Sequence, residues 1–139
     1  MKTVLLWPGV YWNDAIVLLR VWIGIIFISH GLSIWSPENM RSFTNYLTTL
    51  NVPFPLVNAY LCKSTEFIGG ILLVLGLFKR AACIFLIIDM MVATFVAGRG
   101  ELLQEGRTPF IMLICCITFL LSPTEKPSLD WIIFKRTIK

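Results

Sequence analysis

Four titratable side chains interrupt otherwise apolar stretches of this chain: Arg20, His30, Glu66 and Asp89. A lone charge in hydrocarbon costs several kcal/mol even by the lower estimates, so such groups turn into a bundle and pair with one another. Because a helix advances about 1.5 Å per residue, their heights can be ranked. Measured from the inner face, Arg20 lies about 7 Å deep and Asp89 about 12 Å, a difference that a long arginine can span. His30 lies about 22 Å up the first helix, and Glu66 about 18 Å up the second if the core is about 30 Å thick. The expectation is a lower structural pair, Arg20 with Asp89, and an upper pair, His30 with Glu66, as the candidate ligand-binding residues. An imidazole titrates near neutrality and a neighbouring carboxylate tunes it, and the external face is close. Lys63, three residues before Glu66, is a competing cation unless it snorkels to the headgroups. The structural alternative for both pairs is that they are buried polar contacts fixing which helices meet and in what register.

Other chemistries are excluded by inventory. The chain has one histidine, so bis-histidine haem ligation is ruled out, and no His and Cys spacing makes a zinc or other metal site. No glycine-rich phosphate loop follows a strand. Among the four cysteines, Cys62 and Cys83 fall near opposite membrane faces, and Cys115 and Cys116 are adjacent, so all are read as buried inert thiols. A quinone needs only one or two hydrogen-bonding partners inside an apolar slot, and His30 with Glu66 could supply them. No cofactor is expected on the chain alone; the candidate ligand is a quinone. Catalytic residues are not assignable, and any activity would be that of an oxidoreductase subunit rather than of a self-sufficient enzyme.

The elements that must hold these groups are apolar helices. Hydrophobic residues make up 57% of the chain and charged residues 14%, with a mean hydropathy of +0.79. Soluble domains carry about 25% charged residues. The fold class expected is all-α: an integral membrane four-helix bundle forming a single transmembrane domain over 1–139, with spans at about 15–35, 59–78, 81–97 and 107–122. The fourth is the shortest, and a re-entrant segment is its alternative. Between Ser36 and Asn58, Met40, Phe43, Leu47 and Leu50 recur at three and four residues, which predicts a short external amphipathic helix. From Ser128, Trp131 to Phe134 followed by Lys135, Arg136 and Lys139 predicts a C-terminal interfacial helix. Gly24, Gly31, Gly69, Gly70 and Ala93 share faces with the charges and are expected to allow close helix packing.

Basic residues set the orientation. Lys2, Lys79, Arg80, Lys126, Lys135, Arg136 and Lys139 fall on one side, and Arg41, Lys63, Arg99 and Arg107 on the other, so both termini are expected in the cytoplasm. The net charge of +4 is spread over helix ends rather than gathered in a stripe, which argues against nucleic acid as a partner. The apolar run near Lys2 is broken by Trp7, Pro8 and Gly9, so no cleavable leader is expected.

Several stretches resemble the DoxX family of small bacterial membrane proteins: LLRVWIGIIFISHGLSIW from Leu18 to Trp35, NVPFP from Asn51 to Pro55, and EFIGGILLVLGLFKRAACIFLIIDMMVA from Glu66 to Ala93. The closing Ser128 to Asp130 also resembles the family's end. The resemblance departs at Arg107 and Thr108, where many relatives carry a glutamate. It implies a multi-pass helical bundle in the bacterial cytoplasmic (inner) membrane, with some members acting in redox complexes such as thiosulfate:quinone oxidoreductase. The function expected is a membrane subunit associated with quinone-linked redox chemistry, whose partners are the lipid bilayer and either a second protein or further copies of the chain. The alternative is a non-catalytic assembly or scaffold subunit of a larger envelope complex. A solute or proton carrier ranks third, since four helices show no inverted repeat.

Overall fold

The computed structural model describes residues 11–97 and 107–122, and every regular element within them is helical. Helix α1 spans Tyr11–Gly31 and runs on through a tighter 3₁₀ turn, Leu32–Trp35. It begins before Asn13 and Asp14, the residues whose side chains suit a helix cap, and Asp14 instead lies in the first turn, where a negative charge complements the free N–H groups. The expected C-terminal interfacial helix lies outside the described residues.

Helix α2, Pro37–Thr49, is opened by Ser36, whose hydroxyl accepts the Asn39 N–H at 3.5 Å, with proline at the first helical position. Met40 and Leu47 on its inner face, together with Ala59, form a small core of their own. Helix α3, Pro55–Leu75, ends in Gly76, whose left-handed φ of 65° lets Leu77 N–H reach Leu72 C=O at 3.0 Å and Gly76 N–H reach Leu73 C=O at 3.2 Å. These two bonds satisfy carbonyls that the helix end would otherwise leave open, and glycine takes this conformation without a Cβ penalty. Helix α4, Lys79–Val92, follows after this tight turn and continues into a π-helical turn, Ala93–Ala97. Helix α5 is Arg107–Leu121.

Helix α1 packs along α3, α3 against α4, and α4 against α5, with a lighter α1–α5 contact; α2 lies on α3. The main core draws on α1, α3, α4 and α5, with Phe27, Leu73, Leu86, Cys116 and Phe119 fully enclosed. Two glycine crossings set the helix spacing. A Cβ on Gly70 would lie 2.8 Å from both Gly24 O and Ile28 N, and one on Gly69 would lie 2.8 Å from Leu86 Cγ. Gly31 likewise lies against the Phe67 backbone, and Ala93 packs against the main core.

The polarity of the molecule is inverted relative to a water-soluble protein. Arg20 is 2% exposed, and Glu66, Lys79, Thr94 and Ser122 are also buried, while Leu18 is 72% exposed and Trp22, Ile68, Phe85, Ile88 and Ile114 are exposed as well. Large apolar patches on a surface mark contact with lipid or with partners rather than water. The continuous helix from Asp14 to Trp35 is, among the described residues, the one long and apolar enough by itself to cross a membrane; α5 is apolar but shorter.

Candidate functional site

Lys63 and Glu66 stand one turn apart on α3. Three-residue spacing puts two side chains on the same helix face, and Lys63 Nζ donates to Glu66 Oε2 at 2.6 Å, with side-chain exposures of 11% and 9%. From above, α2 closes on this pair: the Phe43 ring centroid is 4.7 Å from Lys63 Nζ, a cation–π contact that steadies a partly desolvated ammonium. Asp89 reaches the same place from α4, where its carboxylate lies beside the Cys62 thiol. The second carboxylate oxygen, Oδ2, has no hydrogen-bond partner among the described residues.

These groups border a cavity of about 380 Å³ between α2, α3 and α4. Its roof is Phe43, Leu47 and Val52. Leu61, Phe85, Ile88 and Val92 form the opposite side and are themselves exposed on the outer flank, so the cavity opens onto apolar surface. The π-helical turn begins at its edge, with Ala93 and Val96 in the wall; such turns insert an extra residue and often accompany functional sites. An apolar slot with a few convergent polar groups is the usual form of a small-molecule site.

The structure regroups the residues expected from sequence. Glu66 and Asp89, assigned to different pairs by their estimated depths, line one cavity. The tight turn explains this, since Glu66 lies eleven residues before Leu77 and Asp89 eleven after Phe78, and antiparallel neighbours meet at equal distances from their turn. The short connection between α3 and α4 was the signal that could have found the match.

His30 and Glu66 are not brought together. Helix α3 turns Phe67, Gly70 and Val74 toward α1, whereas Glu66 is on the face that Gly69 presents to α4. His30 is exposed, beside rather than on the α1 face that carries Gly24, Phe27 and Gly31. Nor does Arg20 join Asp89: it is buried on α1, which packs chiefly on α3, and the charges acting on Asp89 are those of Glu66 and Lys63.

Two contributors to the site carry no signal in the sequence beyond their place on a helix: Cys62, which lies beside Asp89, and Phe43, whose ring sits on Lys63. Lys79 is buried at the opposite end, where Nζ donates to Ser122 Oγ at 2.9 Å and to Ser122 O at 3.2 Å, tying the start of α4 to the end of α5.

The DoxX family profile matches residues 15–99, the segment that holds most of α1, all of α2 to α4 and every residue of the cavity. The chain belongs to the DoxX family. It is also 28% identical over 120 residues to a putative oxidoreductase, CatD, of Bacillus subtilis, covering 86% of this chain and 87% of that protein. An uncharacterised protein of Haemophilus influenzae is 30% identical over 128 residues, covering 87% of this chain and 92% of its own length. No solved structure matches. DoxX proteins are membrane-associated, in keeping with the apolar exterior and the candidate membrane helix found here.

Proposed function

We propose that this DoxX-family chain is a multi-pass subunit of the bacterial inner membrane, a four-helix bundle with both termini cytoplasmic, that binds a quinone in the α2–α3–α4 cavity. A partner protein supplies the redox cofactor. The observation that carries this reading is the cavity itself: about 380 Å³ of largely apolar space, opening on the exposed flank and holding Lys63, Glu66 and Asp89. A quinone is built the same way, with a polar ring at one end of an apolar tail. The exposed Leu61, Phe85 and Ile88 at the mouth would face acyl chains, so a ligand dissolved in the bilayer enters without crossing water. That a relative carries the name putative oxidoreductase supports the redox association.

This reading replaces His30 with Asp89, Lys63 and Cys62 as companions of Glu66. The test is equilibrium binding of a decyl-tailed benzoquinone, in its oxidised or its reduced form, to the full chain in detergent. Saturable binding of at least one form, abolished by Val92→Trp at the exposed mouth, is expected. Absence of saturable binding by either form overturns the ligand and leaves the assembly-subunit alternative, for which a stoichiometric partner would co-purify.

A further inference from the structure

Carboxylates are prominent among the polar groups that line the cavity. Glu66 and Asp89 contribute two carboxylates. Lys63 is the lining cation, and its charge is engaged by Glu66 at 2.6 Å while the Phe43 ring covers its other side. The Cys62 thiol lies beside Asp89, the Asn58 side-chain amide donates to Pro53 O at 2.6 Å, and Thr65 adds a hydroxyl to the lining. Lys63 acts on Asp89 electrostatically, but its ion pair is with Glu66, and Asp89 Oδ2 has no donor among the described residues. A buried acceptor without a donor is costly, and a hydroxyl brought to an ionised carboxylate makes one of the stronger hydrogen bonds.

On the reading of this cavity as a quinone-couple site, we infer that it holds the reduced, hydroxyl-bearing quinol in preference to the oxidised quinone, with Asp89 as the residue that discriminates. A quinone offers only carbonyl oxygens, which accept and meet repulsion at the Asp89 carboxylate. A quinol offers hydroxyl groups, which donate. Oδ2 is covered in this structure, but the terminal torsion of an aspartate is broad, so a partial turn about it brings a carboxylate oxygen toward the cavity. The apolar mouth accommodates the tail in either redox form, so the discrimination belongs to the head group alone.

The experiment compares, without oxygen, equilibrium binding of a decyl-tailed benzoquinone and of its two-electron-reduced quinol to the full chain in detergent. The quinol is expected to bind at least about tenfold more tightly, which corresponds to about 1.4 kcal/mol. In Asp89→Asn the amide can donate as well as accept, and the ratio should fall toward one. The quinol dimethyl ether, which has lost its donors, serves as a second probe on the unaltered protein and should bind no better than the quinone, whether or not the variant folds. Equal affinities, a preference for the quinone, or undiminished binding of the ether would overturn the inference while leaving the couple-binding reading intact. Failure of both forms to bind would remove that reading, and this inference with it.

Discussion

Lys63 and Glu66 neutralise each other within one helix, and that local solution has a cost if either is removed. With both side chains about nine-tenths buried, deleting one leaves a desolvated charge unpaired, and such losses typically reach about 3–5 kcal/mol. Lys63→Met should therefore destabilise the protein by about that amount, while the double variant Lys63→Met with Glu66→Leu should recover most of it, because well-packed apolar replacements for a buried pair are often neutral. Reversible unfolding in mixed micelles measures both. A single variant with wild-type stability would mean that water reaches the pair. His30 gives the contrasting expectation. It is exposed and apart from the cavity, so His30→Ala should leave ligand binding unchanged and shift stability by no more than about 0.5 kcal/mol, as surface substitutions usually do. Binding lost in His30→Ala would return the imidazole to the site.

At the scale of elements, the site depends on how closely α3 can approach its neighbours on two sides. Gly70 meets the α1 backbone at Gly24 and Ile28, and Gly69 meets Leu86 of α4. Backbone atoms cannot yield as a flexible side chain can, so Gly70→Ala must push α1 away, and overpacking of this kind costs about 1–3 kcal/mol. Gly69→Ala meets the end of a leucine side chain instead and should cost less. Thermal unfolding of the two variants in detergent checks the order; a reversed order would contradict the assigned crossings.

The positions of these helices were legible in the sequence because apolar runs, the Ser36–Pro37 opening of α2, and Gly76 after α3 are local signals. The pairing of the charges was less so. Depths counted from assumed membrane faces carry an error of several ångströms in each helix, enough to separate Glu66 from Asp89. Counting outward from the turn at Leu77 and Phe78 removes that error. The packing face of α1 was legible in Gly24 and Gly31, which do meet α3, but the placing of His30 was not, since it stands about 80° around the helix from Arg20 on a side that is otherwise apolar.

For the whole molecule, the inverted polarity and the cavity make one arrangement: an apolar exterior suited to lipid, and a recess on that exterior whose polar groups lie behind an apolar mouth. Basic anchoring at Lys79 ties α4 to α5 at the end away from the cavity, so the two ends of the bundle perform separate tasks. The claim on which the account turns is that a bilayer-borne ligand occupies the space between α2, α3 and α4. The most direct measurement is photolabelling of the full chain in vesicles with a photoreactive alkyl quinone, followed by mapping of the labelled residues by mass spectrometry. The account predicts saturable labels on Leu61, Phe85, Ile88 or Val92, competed by unlabelled ligand and absent near His30. Competed labels clustered on α1 around His30, with α3 and α4 unlabelled, would contradict it.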